Sequence, residues 1–125
     1  MKIDLPQIIS TGIYNSQLAI KNKEIKISSN RKTTMFEIEI PIEKGGVSYI
    51  NSDYMSINTD MVICAKPGQI RHTMFPFKCY YIHMILSEGD LKNRLCEVPN
   101  YLKTEKYAQY LSIFKQMYKY YDTSL

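Results

Sequence analysis

The sequence predicts a mainly β domain, a sandwich or barrel of short strands, followed by a helical tail. Three observations carry this. From Met35 to Ile42, Phe36, Ile38, Ile40 and Ile42 alternate with Met35, Glu37, Glu39 and Pro41, the period-2 pattern of a half-buried strand. Turn signals recur at strand-length intervals up to about Leu86, as in all-β sandwiches and barrels. Beyond Ser87 the apolar spacing changes to three and four, which is helical. Residues 1–86 therefore read as a β-barrel, and 87–125 as a helical segment of the same domain.

Pro41 brings no N–H to a ladder, which places it at a sheet edge or near a strand end. Gly45-Gly46 gives the permissive backbone for a turn into a strand at Val47–Asn51. Asn51-Ser52-Asp53 reads as a hairpin turn, because Asn and Asp side chains bond nearby backbone. Tyr54–Asn58 returns, Thr59-Asp60 turns, and Met61–Ala65 is a short buried strand. Lys66-Pro67-Gly68-Gln69 is a β-turn with proline presetting φ and glycine following. Ile70–Met74, a bend at Phe75-Pro76, and a long strand Phe77–Leu86 complete the series. Upstream, Ile8–Tyr14 and Gln17–Ile27 add one or two strands.

In the tail, Leu91–Glu97 forms a short helix stopped by Val98-Pro99. A long helix opens at Thr104-Glu105 with Thr104 as N-cap. Its apolar positions, Tyr107, Tyr110, Leu111, Phe114, Met117, Tyr118 and Tyr121, make one stripe. Lys106, Gln109, Ser112, Lys115, Gln116 and Lys119 lie opposite. The stripe has two uses: packing on the chain's own sheet, or docking on a second subunit, where tyrosine supplies contact area that tolerates water.

Composition narrows the class. The chain has 125 residues, 16 Lys+Arg, 12 Asp+Glu, a net charge of +4 and 45% hydrophobic residues, which fits one globular domain. No apolar run reaches the roughly 18 to 20 residues of a membrane span, and Met1-Lys2-Ile3-Asp4 does not open a secretory signal. Three cysteines, Cys64, Cys79 and Cys96, are odd in number and far apart. They read as core packing in a reducing, cytoplasmic setting rather than as disulfides or a zinc site. Lys21, Lys23, Lys26, Arg31 and Lys32 face only Glu24 in one stretch. Without a nucleic-acid-binding motif, this reads as a solvated basic loop.

The runs Gly46-Val47-Ser48-Tyr49-Ile50-Asn51, Asp60-Met61-Val62-Ile63-Cys64-Ala65-Lys66-Pro67-Gly68-Gln69-Ile70-Arg71-His72 and Tyr81-Ile82-His83-Met84-Ile85-Leu86 carry a resemblance. In order and spacing the chain, from about Ser29 to Tyr121, resembles the amino-terminal cupin-like sensor domain of AraC-type bacterial transcription regulators. The resemblance implies a double-stranded β-helix (jelly roll) with two trailing α-helices, a small effector bound in the cup, and a homodimer through the C-terminal helix. It further implies DNA binding only through a separate helix-turn-helix domain. With the sequence stopping at Leu125, the chain reads as the sensory half of such a regulator, with no cofactor, no membrane partner and no enzymatic role.

Cupin enzymes hold a metal through H-x-H, a later Glu, and a His beyond a Pro-Gly turn. Placing Glu37 on that Glu puts Asn30 and Lys32 on the paired His positions. Counting from Pro67-Gly68 puts Arg71 on the last, beside His72. Asn is a poor ligand for iron, zinc or nickel, and Lys and Arg repel a cation, so no metal is expected. No nucleophile elbow, H-E-x-x-H, P-loop or dinucleotide fingerprint occurs.

On the long strand, Cys79, Tyr81, His83 and Ile85 share one face and Tyr80, Ile82, Met84 and Leu86 the other. The resemblance turns the first set inward and matches Thr73, Tyr81 and His83 to ligand contacts. Tyr and His two residues apart suit a sugar, a small polar aromatic or a carboxylate; both equally suit plain core packing. Glu37 carries a conflict. Alternation leaves Glu37 and Glu39 in solvent, whereas the resemblance turns Glu37 into the cup. Both hold if another element covers the opposite face, and an inward Glu37 then needs Arg71 as partner. The expected ligand set is Glu37, Arg71, His72, Thr73, Tyr81 and His83. Two other classes stay open: a stand-alone cupin isomerase or dioxygenase, and a dimeric interaction module with no ligand.

Overall fold

A computed structural model describes residues 5–123, so the reading of Met1–Asp4 and the end at Leu125 lie outside the described residues. The architecture is mainly β, with nine strands in two antiparallel sheets and three helices among the described residues. In chain order these are β1 (Gln7–Asn15), α1 (Ser16–Ala19), β2 (Arg31–Lys32), β3 (Phe36–Pro41), β4 (Val47–Ile50), β5 (Asp53–Ser56), β6 (Met61–Ala65), β7 (Ile70–Met74), β8 (Lys78–Ile85), α2 (Asp90–Glu97), β9 (Tyr101–Lys103) and α3 (Tyr107–Thr123). One sheet has the order β1-β8-β3-β6-β9, the other β2-β7-β4-β5.

Every residue of β3 except the half-buried Ile38 is buried. Its alternation separates two kinds of interior. Phe36 and Ile40 face α3, which packs across β1, β8 and β3. Glu37 and Glu39 point the other way, between the sheets, so the helix accounts for apolar burial on one face and charge burial on the other. Pro41 ends the strand, consistent with its missing donor. The stripe Tyr107, Tyr110, Leu111, Phe114, Met117, Tyr118 and Tyr121 is half-buried at every position. The Tyr107 hydroxyl donates to the Pro41 carbonyl, and the Tyr118 ring lies 5.9 Å from that of Tyr80. The stripe thus packs on the chain's own sheet.

The apolar core between the sheets gathers Ile50, Ile57, Met61, Ile63, Ala65, Phe77, Cys79 and Tyr101. Each large side chain fully buried there contributes about 1.5–3 kcal/mol. Tyr101 ties the sheets together by donating from its hydroxyl to the Ser48 carbonyl at 2.8 Å. Lys66 is also buried. Its ammonium donates to the carbonyls of Cys64 and Val98 and to Asn100 Oδ1, fastening the segment after α2 to β6, and burial pulls its pKa down.

Three turns follow their chemistry. Asn51, at φ +53°, closes the β4–β5 hairpin, and its side chain accepts from the Ile70 N–H. Gly68 takes φ +90° in the Lys66–Gln69 turn, which Thr33 anchors from across the molecule through hydrogen bonds to Lys66 and Gln69 carbonyls. Gly46 sits at φ +77°, where an added Cβ would lie 2.2 Å from the Pro76 carbonyl oxygen. Only glycine fits there.

Several expectations need correction. The strand expected over Gln17–Ile27 is instead the single helical turn α1 and an irregular segment that touches a strand only where Ile27 bridges Met74. Asn15 and Asn22 decide this by accepting from the N–H groups two residues on, Gln17 and Glu24, which offers the backbone an alternative to a ladder. Strand β9 lies in the tail that reads as helical, and Cys96 is exposed rather than packed. Arg31, one of the expected solvated cations, is half-exposed and bound to Glu37.

Candidate functional site

A cavity of about 340 Å³ lies between the sheets and meets the apolar core at Phe77. Its size falls within the range of small-molecule pockets. Antiparallel register builds its walls. On β3 and β8, Glu37 pairs with His83 and Glu39 with Tyr81, which puts all four side chains on one face. On β7, Arg71 and Thr73 are buried and point inward, while Ile70, His72 and Met74 alternate outward.

The charged group has a definite order. Arg71 donates from one nitrogen to Glu37 Oε1 at 2.9 Å and from the other to Glu39 Oε1 at 2.7 Å. Arg31, on the edge strand β2, adds a two-pronged contact to Glu37 at 2.7 and 2.8 Å. Glu37, Glu39 and Arg71 are 2%, 7% and 3% exposed, and buried charges persist when paired in this way. Burial alone pushes the Glu37 carboxyl up, but the Arg31 hydrogen bonds and the two guanidinium charges outweigh it and hold its pKa down. For Arg71 the burial penalty is likewise overcome by Glu39 and Glu37, so its pKa is raised. His83 is different: burial, backed by the arginine charges, outweighs the carboxylates and pulls its pKa down. Its imidazole is neutral at pH 7.

Of the expected ligand set, Arg71, Thr73, Tyr81 and His83 line the cavity together. The Tyr81 and His83 rings lie 4.9 Å apart. Glu37 points inward and pairs with Arg71 but sits behind the wall, enclosed by the two arginines. His72 borders the cavity through its place on β7, yet its ring stacks on Tyr49 at 4.4 Å and 9° on the outer face of the second sheet.

Other lining residues include Glu39, Arg31, Tyr14, Phe75 and Phe77, with Ile13 and Ser28 completing the wall. Glu39 had a signal, since it follows Glu37 by two and must share its face. Tyr14 and the two phenylalanines carried none, because a core aromatic and a cavity wall look alike in sequence. Gly12 has a hidden role. It pairs with Tyr81, and a Cβ there would lie 2.9 Å from the Tyr81 hydroxyl, so glycine lets the ring lie over β1.

The chemistry available is hydrogen bonding against aromatic walls. The metal-ligand positions drawn from the cupin pattern hold Asn30, Lys32, Glu37 and Arg71, and both oxygens of Glu37 are taken by guanidinium groups. Among the described residues, no three His, Cys, Asp or Glu side chains are grouped to hold a metal ion. No described helix is long and apolar enough to cross a membrane. Compared with protein-family models, curated proteins and solved structures, the chain matches none.

Proposed function

We propose that the chain is the effector-sensing and dimerisation domain of an AraC-type transcription regulator, a jelly roll that takes a small sugar-like or polar molecule in its cup. The observation that carries this reading is the cavity between the sheets, into which Thr73, Tyr81 and His83 project beside a buried ion cluster. A folded domain gains nothing in stability from leaving Tyr14 and Tyr81 against open space, whereas a ligand site needs that space. DNA recognition belongs to a separate domain of the parent regulator, and the setting is cytoplasmic, in keeping with the three free cysteines. Pairing through α3 forms the second half of the proposal. The stripe already packs on the sheet, so the partner meets its half-exposed margin and Ile113, which is 50% exposed.

Binding would bias two arrangements of the helices only if the effector favours one of them. A thermal-shift panel of sugars, sugar acids and small aromatics tests the reading. At a hundredfold excess over Kd a true effector adds about 2.7 kcal/mol, a rise in Tm on the order of 10 °C, and Tyr81→Ala removes the shift. A blank panel, with the protein folded, favours the ligand-free interaction module. Stoichiometric iron, zinc or manganese in the purified protein favours the cupin enzyme.

A further inference from the structure

We infer that the cavity selects an uncharged ring compound that donates a hydrogen bond to Glu39, and that it discriminates against anions. This rests on the cavity being the ligand site, and it narrows what that site takes.

The charge count comes first. Arg31 and Arg71 are balanced by Glu37 and Glu39, so the cluster sums to zero. Every guanidinium nitrogen that reaches a carboxylate is already committed: two from Arg31 to Glu37, and one each from Arg71 to Glu37 and Glu39. An anion entering here finds two arginines whose charges are already matched by Glu37 and Glu39. An anion that drew Arg71 away from Glu39 would leave a carboxylate that is only 7% exposed without its partner. A neutral His83 supplies no replacement cation.

What remains unspent defines the ligand. Glu39 accepts from Arg71 through Oε1, and Oε2 accepts from no described residue. A buried carboxylate oxygen on a cavity wall with no donor is costly unless something supplies one. The His83 imidazole and the Tyr14 hydroxyl likewise make no hydrogen bond to a described residue, and both residues border the same space. Phe75, Phe77 and Tyr81 add flat aromatic faces, and Ser28 and Thr73 add hydroxyls. A hydroxyl-bearing ring meets these demands: it stacks on the aromatics, donates to Glu39, and exchanges hydrogen bonds with His83 and Tyr14. An ammonium compound also donates, but Arg71 already neutralises Glu39, so the added charge goes unmatched.

The test is calorimetric titration at pH 7.5 with matched neutral, carboxylate and ammonium forms of one ring. Galactose, galacturonate and galactosamine make one series; benzyl alcohol, benzoate and benzylamine make another. In a series that binds, the neutral member should bind about tenfold or more tightly than either charged one. Glu39→Gln leaves Arg71 in excess, so it should weaken the neutral compound and strengthen the carboxylate. The wild-type ranking stands as a test even if that variant does not fold. A carboxylate or ammonium form binding as tightly as the neutral one overturns the inference and leaves the ligand site intact. If no member of either series binds, the ligand-site reading falls and the inference with it.

Discussion

At the scale of single residues, the cluster depends on one guanidinium serving two carboxylates. Arg71 is 3% exposed and its partners Glu37 and Glu39 are nearly as buried, whereas Arg31 is 52% exposed at the rim. Removing a buried partner costs far more than removing an exposed one. Arg71→Met should therefore destabilise the domain by about 3–5 kcal/mol. Arg31→Ala should cost about 1 kcal/mol or less. Urea unfolding of the two variants measures both, and equal losses would mean that Glu37 and Glu39 are not enclosed. The Glu37–Arg71 pair was legible because an inward carboxylate demands a cation. Glu39 was less so. Alternation placed it beside Glu37, but only β7 running opposite shows that the same arginine reaches both. The ring of His72 faces away because β7 alternates, and a Pro-Gly-Gln turn read alone does not set that phase.

At the scale of elements, the strands legible in sequence were those with both a periodic pattern and turn chemistry at each end. Met61–Ala65 and Ile70–Met74 match their expected bounds, since Thr59-Asp60 and the Lys66–Gln69 turn delimit them. Strand β9 is three residues long and pairs only with β6. So short a strand owes its existence to tertiary packing, which no local pattern encodes. The turn before β4 offers a sharper check. Gly46 and Gly68 both take positive φ, but an added Cβ at Gly46 would lie 2.4 Å or less from two backbone oxygens, and at Gly68 it meets open space. Gly68→Ala should cost about 1 kcal/mol, from backbone strain alone. Gly46→Ala should cost about 3 kcal/mol or more, because backbone must also move. Thermal unfolding separates the two, and similar losses would contradict the close packing of Gly46 against Met74 and Pro76.

At the scale of the whole molecule, the two sheets enclose different interiors at their two ends. One end is closed by Ile50, Ile63 and Tyr101; the other holds ion pairs and open space, and Phe77 lies where the two meet. Helix α3 makes this division workable by covering the apolar face of β3, which frees its other face for Glu37 and Glu39. The stripe on α3 announced an apolar partner, and its own sheet is that partner. The most direct test of the account is a residue-resolved NMR titration with the neutral compound that gives the largest thermal shift. The account predicts perturbed amides at Glu39, Thr73, Tyr81 and His83, with Tyr54 and Ser56 on the second sheet's outer strand unmoved. Perturbations centred on the stacked Tyr49 and His72 rings and the neighbouring Tyr54, with the β3 and β8 signals unchanged, would contradict it.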